Sequence, residues 1–252
     1  MDNGHVHLQT ADGIGTIRFH HPKGNALPAS VLSGLAGAVR QAGADPQVRV
    51  VVMRSEGDRA FCGGASFDEL AAIRDEAEGT RFFMGFANVI NAMRTCPKLI
   101  IGRVQGRCAG GGVGLAAATD HCLATTAAEV KLSELAVGIG PFVVGPAVER
   151  RMGTAAYASM AIDATRWHSA EWARQTGLFA EIHSDLPGLD EAVHRLAHRL
   201  AEASPDAMAE LKQVLWAGTG DWDSLLPQRA AISGRLVRSP HARRAIDALR
   251  KA

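Results

Sequence analysis

Aromatic residues are scarce in this 252-residue chain, with one tyrosine, four tryptophans and eight phenylalanines making up 5% of it. The formal net charge is only +1, and no basic stripe is interleaved with aromatic side chains, so the chain lacks the electrostatic footprint of a nucleic-acid binder. Long apolar runs are missing too. None approaches the roughly 18 to 20 residues that cross a bilayer, and the start Met1-Asp2-Asn3-Gly4-His5 resembles neither a signal peptide nor an Arg-rich transit peptide. Neither nucleic acid nor a membrane is an expected partner, and a cytoplasmic location is expected. The four cysteines, Cys62, Cys96, Cys108 and Cys122, form no C-x-x-C pair and read as buried, reduced thiols. A Gly-x-Ser-x-Gly elbow is absent, which leaves a serine hydrolase nothing to build on. His194 and His198 stand one helical turn apart, but no glutamate lies between them and no third ligand is evident. An exposed helix face is expected there, rather than a metal site.

What the chain does have is apolar material and glycine. Hydrophobic residues make up 47% of it and glycines number 27, enough for one large core or two small ones without disulfides. Val6-His7-Leu8-Gln9 and Ile14-Gly15-Thr16-Ile17-Arg18-Phe19 alternate on either side of Asp12-Gly13, a hairpin signal. Apolar residues recur at helical spacing over Ser30–Ala44 and near Phe82–Arg94, with strand-like runs at Val48–Met53, after Pro97 and at His121–Ala124. Between them, Asp75-Glu76-Ala77-Glu78-Gly79 reads as a mobile stretch, a candidate lid. From Leu189 onward the pattern is almost wholly helical, broken at Ser204-Pro205 and near Gly218–Trp222. Cations gather at the end, where Arg229, Arg235, Arg238, Arg243, Arg244, Arg250 and Lys251 face only Asp247. They read as a solvated helix face, the alternative being contact with phosphates of a nucleotide-like ligand or with a neighbouring subunit's carboxylates.

Two glycine turns follow strand-like segments. Ala60-Phe61-Cys62-Gly63-Gly64-Ala65-Ser66 comes after Val48–Met53, and Cys108-Ala109-Gly110-Gly111-Gly112-Val113-Gly114-Leu115 comes after Leu99-Ile100-Ile101. Glycine lets the backbone turn with no Cβ in the way, so N–H groups at the start of a following helix, here Val113–Thr119, face a ligand and attract negative charge. Two such turns can aim two N–H groups at one oxygen, as an oxyanion requires. The fragment Gly112-Val113-Gly114-Leu115-Ala116-Ala117 also fits the dinucleotide fingerprint G-x-G-x-x-A, with the acidic Glu134 about 20 residues beyond Gly114. It lies midway along the chain and leaves the other glycine turn unexplained. A dinucleotide-dependent oxidoreductase is therefore the weaker reading.

Taken with Asn25-Ala26-Leu27 after Pro22-Lys23, and with Leu132-Ser133-Glu134-Leu135-Ala136-Val137-Gly138-Ile139, these turns resemble the crotonase superfamily in order and spacing. That superfamily comprises the enoyl-CoA hydratases and isomerases, and the resemblance runs from about Val6 to about Leu200. It implies an α/β fold: a spiral of ββα units carrying the CoA site over residues 1–195, and a C-terminal helical oligomerisation region over 196–252. Homotrimers or hexamers are implied, acting on an acyl-CoA thioester with no cofactor beyond the coenzyme A of the substrate. Matched position by position, the backbone N–H groups of Ala65 and Gly111 form the oxyanion hole and Glu134 is the catalytic carboxylate. Lys23, Asn25, Ala26, Leu27, Phe61, Gly64, Ser66 and Gly110 fall at CoA- and substrate-binding positions. A carboxylate in that pocket is expected to have a raised pKa, suited to passing a proton at neutral pH. Phe82, Phe83, Met84 and Phe86 are acyl-pocket walls or core, and Trp216 and Trp222 are subunit contacts or core.

The chain also departs from the family pattern. Hydratases of this family carry a first carboxylate two residues beyond the third glycine of the loop, where this chain has Gly114. Two carboxylates can hold a water and deliver its proton and hydroxyl together. With one, the simpler task is to move a proton between the α and γ carbons, so the equipment leans towards an isomerase. Asp68, Glu69, Asp75 and Glu76 are acids that could fold over the site instead. Ser66 stands where Asp is common, and Asp68 near where a basic residue approaches the CoA phosphates, which leaves Lys23 as the nearest cation. A non-catalytic acyl-CoA-binding oligomer is the remaining alternative, opposed by the retention of Glu134.

Overall fold

The computed structural model describes residues 4–251, with the side chain of Lys251 left aside. Asp12 and Gly13 both adopt positive φ, 50° and 77°, as a two-residue type I′ hairpin turn requires. They join β1 (His5–Ala11) to β2 (Ile14–His20), paired antiparallel from His5↔His20 to Ala11↔Ile14. After α1 (Ala29–Ala44) the chain makes one move three times: a strand in a large sheet, a short strand in a small sheet, then helix. The first pass is β3 (Val50–Ser55), β4 (Ala60–Cys62), α2 (Phe67–Ala72) and α3 (Glu76–Thr95). The second is β5 (Leu99–Val104), β6 (Arg107–Ala109) and α4 (Gly111–Ala118). The third is β7 (His121–Thr125), β8 (Val130–Lys131), a 3-10 turn at Leu135–Val137 and α5 (Gly145–Ile162), which kinks at Gly153 where φ is 79°. Then α6 (Ala170–Gln175) and β9 (Glu181–His183) close the large sheet, whose order is β1-β2-β3-β5-β7-β9. The small sheet is β4-β6-β8, parallel throughout. Helices α7 (Leu186–Ala201), α8 (Pro205–Leu215), α9 (Trp222–Leu236) and α10 (Pro240–Lys251) follow. This is the α/β architecture of repeated ββα units that the resemblance implies. Among the described residues, no helix is long and apolar enough to cross a membrane.

Strands β3 and β5 open on apolar runs, Val50–Met53 and Leu99–Ile101, because both faces of the sheet are covered. Val50, Val52, Ile101 and Leu123 pack on Leu189, Ala192, Val193 and Ala197 of α7. Val51, Met53 and Ile100 belong to the main core on the other side, following the two-residue alternation of a pleated strand. That core also takes in Trp222, Leu226, Ala230, Val237 and Ile246, so the last helices share it. The expected division at 195/196 falls within α7.

The segment Asp75–Gly79 is a helix start and not a lid. Asp75 caps α3 by accepting from the N–H of Glu78 at 2.7 Å, and the acids of this first turn suit the positive end of the helix dipole. Gly79 is buried, and a Cβ there would lie 2.7 Å from the carbonyl oxygen of Gly234. Helices α3 and α9 therefore cross backbone to backbone. At the other end of α3, Arg94 donates to the Thr219 carbonyl at 3.1 Å and to Asp223 at 2.7 Å, so the two helices run antiparallel. Two of the terminal cations have partners within the chain. Arg243 donates to the carbonyls of Ala71, at 2.8 Å, and Ile73, while Arg250 Nε lies 3.5 Å from Asp68. These contacts satisfy carbonyls orphaned at the end of α2 and tie α10 to it.

Helix α8 is anchored by a buried ion pair. Asp120 accepts from Lys212 Nζ at 2.6 Å, from the N–H of Ile100 at 2.7 Å and from Trp216 Nε1 at 2.7 Å. The paired side chains are 3% and 4% exposed, and Trp216 stands edge-on to Trp222 at 5.8 Å. Removing one partner leaves the other charge buried and uncompensated. Lys212→Met is thus expected to cost roughly 3 to 5 kcal/mol, read as a lowered denaturant midpoint at unchanged slope. An unshifted midpoint would show that the pair does not hold α8.

Candidate active site

Because β4, β6 and β8 are parallel, the three chain segments that leave the small sheet do so at one edge. Ala65, Gly111 and Glu134 each stand within three residues of a strand end. In the first turn Leu27 bridges Ala65, its N–H donating to the Gly64 carbonyl at 2.8 Å. Gly64 has φ 91°, and a Cβ there would lie 2.9 Å from the Ala109 carbonyl and 3.7 Å from the Gly111 nitrogen. The two turns are in backbone contact that a side chain would break. Gly110, at φ 50° and ψ −115°, occupies a region closed to other residues. A Cβ there would lie 3.0 Å from Glu134 Oε1. Gly111 opens α4, so its N–H has no intrahelical acceptor. No described residue accepts from the N–H of Ala65 or of Gly111.

Glu134 is held by its backbone, its carbonyl accepting from the N–H groups of Val137 at 3.2 Å and Ile139 at 2.9 Å. The residue keeps some exposure, but its Oε2 is buried with no hydrogen-bond partner. Burial pushes the carboxyl from its ordinary 4.5 up to about 7, because the charged form is desolvated.

A cavity of about 50 Å³ lies against these groups. Its walls are Phe67, Leu70, Phe83, Phe86, Val137, Ile139, Phe142, Val143 and Val144, with Ser133, Glu134 and Ser233 supplying polar side chains. Of the expected site residues, Gly64, Ala65, Gly110, Gly111 and Glu134 line it. The remaining expected positions support the first turn or lie outside the cavity. Lys23 is exposed and paired with Asp68 at 2.5 Å. Asn25, at φ 56°, clamps its loop by accepting from the N–H of His21 at 3.0 Å and donating to the carbonyls of Glu56 and Ala60. Ala26 and Leu27 are buried behind the turn, and Ser66 caps α2 by accepting from the N–H of Glu69 at 3.4 Å. The Phe61 side chain packs edge-on to Phe19 at 5.5 Å with no exposure, so it serves the core and not a binding surface. Phe82 stands edge-on to Phe83 and Phe86, away from the cavity wall, and Met84 packs on the core.

Of the acids offered as substitutes for the missing carboxylate, Asp68, Glu69 and Asp75 are engaged elsewhere. Asp68 pairs with Lys23, Glu69 accepts from the N–H of Ala29 at 2.8 Å, and Asp75 caps α3. Neither these nor Glu76 lines the cavity. The space beside Gly114 is filled, since a Cβ there would lie 2.5 Å from Val144 Cγ1 and 2.7 Å from Val144 Cβ. This role of Val144 has no local sequence signal, because the residue arrives from the start of α5. The dinucleotide fingerprint is likewise not displayed as a turn. All residues of α4 are buried, Gly112 packs against Cys62, and neither Gly112 nor Gly114 lines the cavity. The Cys62 and Cys122 thiols, pushed up to about 12 by burial, stay neutral. His194 and His198 have ring centroids 4.1 Å apart on α7. Among the described residues, no group of three or more His, Cys, Asp or Glu is placed to hold a metal ion.

Two unclaimed amides beside a buried, half-ionised carboxylate and apolar walls suit one class of chemistry. Such a site can accept negative charge on a carbonyl oxygen while a proton moves on carbon. The chain matches the family model described as enoyl-CoA hydratase/isomerase over residues 9–245, and it belongs to that family, within the crotonase superfamily. It is similar to a probable enoyl-CoA hydratase of Bacillus subtilis (strain 168), 27% identical over 245 residues that cover 96% of this chain and 94% of the relative. A carnitinyl-CoA dehydratase of Proteus mirabilis (strain HI4320) is 29% identical over 210 residues, covering 83% and 79%. The crystal structure of an enoyl-CoA hydratase from Bacillus halodurans shares the fold, with a TM-score of 0.87 at 20% identity, covering 96% of this chain and 99% of that one.

Proposed function

We propose that this chain shifts the double bond of an enoyl-CoA by moving one proton between the α and γ carbons. The observation that carries this reading is the packing of Val144 on Gly114, which leaves Glu134 as the one carboxylate that the described residues place in the cavity wall. The thioester oxygen accepts from the N–H groups of Ala65 and Gly111. The Glu134 carboxylate takes the α proton of a 3-enoyl thioester, and the electron pair moves onto the thioester oxygen. The carboxylic acid then returns the proton at the γ carbon as the pair flows back, which yields the 2-enoyl ester. A carboxyl poised at about 7 can both take and give a proton at neutral pH. Each amide donor is worth roughly 3 to 4 kcal/mol of barrier. The turn bearing Lys23, Asn25, Ala26 and Leu27 backs the first donor and is assigned to the CoA moiety. Assembly as a trimer or hexamer through the C-terminal helices is part of the same reading.

Incubating 2-enoyl- and 3-enoyl-CoA esters with the protein in D₂O tests it by mass spectrometry. Deuterium uptake with double-bond migration and no gain of water is expected. Net addition of water as the main product would establish a hydratase and overturn the assignment.

A further inference from the structure

Helix α9 reaches the cavity at one residue, Ser233. It comes that close because Gly234, the next residue, is seated on α3. A Cβ on Gly234 would lie 2.6 Å from Thr80 Oγ1, and one on Gly79 would lie 2.7 Å from the Gly234 carbonyl. Two glycines thus remove the side chains that would otherwise hold the helices apart. Ser233 itself is 1% exposed; its hydroxyl makes no hydrogen bond to a described residue, and since its oxygen is not closed off as Glu134 Oε2 is, it opens onto the cavity. Buried hydroxyls ordinarily find one, and a helical serine can turn back to the carbonyl four residues earlier, which this one does not do.

The chemistry around it narrows what the hydroxyl is for. Among the described residues, the cavity wall holds no lysine, arginine or histidine, and its only charged side chain is Glu134. A carboxylate or phosphate on the acyl chain would be buried there without a counter-charge, at prohibitive cost. A neutral oxygen would meet a group that can donate or accept. We propose that Ser233 recognises a neutral hydrogen-bonding oxygen, a hydroxyl or a keto group, on the acyl chain of the substrate, and so sets a preference for oxygenated over plain hydrocarbon acyl-CoA esters. This rests on the acyl-CoA reading of the same cavity.

The test uses saturated esters, which offer no double bond to shift, so that binding is read apart from turnover. Dissociation constants of pentanoyl-CoA and of its hydroxy and oxo derivatives, substituted beyond the β carbon, are measured by calorimetry on the wild-type protein and on Ser233→Ala. An oxygenated ester should bind the wild type more tightly than pentanoyl-CoA, and Ser233→Ala should erase about tenfold of that ratio, one uncompensated hydrogen bond. Alanine is a good helix former, and unchanged thermal unfolding would show that the variant is folded. Equal affinities in the wild type, or a ratio that survives Ser233→Ala, would overturn the role of Ser233 and leave the acyl-CoA reading standing. Failure of every ester to bind would overturn both.

Discussion

Glu134→Gln is expected to lower turnover of an enoyl-CoA by about a thousandfold, the usual worth of a positioned proton carrier, while making the protein more stable above about pH 7. Both effects have one cause, the burial that pushes the carboxyl from 4.5 to about 7. In the unfolded chain the glutamate ionises near its ordinary value, whereas in the folded chain it holds its proton until about 7. Between those values the folded state binds more protons than the unfolded one, so stability falls as pH rises through that window. The full loss, present above about 7, is roughly 3 kcal/mol, as follows from a carboxyl moved from 4.5 to about 7. Glutamine has the same shape and never ionises, so the variant escapes this loss. Denaturant unfolding of both proteins should give equal stabilities at or below about pH 4.5 and diverge in favour of the variant up to about pH 8. In the wild type, kcat/KM should rise through about pH 7 as the carboxylate form appears. Parallel stability profiles would mean that the carboxyl is not raised, and full turnover in the variant would remove Glu134 from the chemistry.

Such a gain in stability on replacing Glu134 is what a desolvated, unpartnered carboxylate implies, since the fold disfavours its ionisation. A structural glutamate of the same burial would have a partner. Asp120 shows the contrast within this chain, because each of its oxygens is met by a donor.

What could be read in the sequence was local. Asp12-Gly13, Gly64 and Gly110 announce themselves because positive φ demands such residues at a turn. Glu134 is picked out by its place in the block Leu132–Ile139 that resembles the crotonase superfamily, and the structure sets it in the cavity wall. The buried strands were visible as apolar runs, although the run at Val48–Met53 begins two residues before β3, where the N–H of Val48 still closes a turn onto Asp45. Asp75–Gly79 was misread because helix caps and loops share the same acidic and glycine composition, and only packing reveals that Gly79 seats a neighbouring helix. Phe61 adjoins the first glycine turn but points the other way, into the core. Phe142, Val144 and Ser233 were invisible for a different reason. They arrive from the approach to α5 and from α9, far along the chain, and only the tertiary fold brings them to the glycine turns. The nearest thing to a signal was the small pair Ser233-Gly234, set between larger residues in α9.

Gly114→Glu is expected to destabilise the protein by roughly 2 to 4 kcal/mol, more than overpacking by a methylene or two usually costs, because it adds both bulk and a charge. The first added atom would lie 2.5 Å from Val144 Cγ1 and 2.7 Å from Val144 Cβ. Valine is stiff about χ1, and its Cβ moves only with the backbone, so the neighbour cannot swing aside. Replacing a helical glycine ordinarily gains about 1 kcal/mol, too little to offset that contact. The carboxylate would also be forced into apolar surroundings, which disfavours its charged form. Removing the obstruction changes the balance. In Gly114→Glu/Val144→Gly the isopropyl group is gone and a second carboxylate can reach the cavity opposite Glu134, where a water can be held between the two. The double variant should recover part of the lost stability, and it should add water to a 2-enoyl-CoA, seen as a product heavier by one water that the parent does not make. Thermal unfolding and product mass spectrometry on the parent, the two single variants and the double variant decide it. Were Gly114→Glu as stable as the parent, Val144 would not be filling that space. Were the double variant stable yet unable to add water, a second carboxylate at this position would not be sufficient for hydration in this fold.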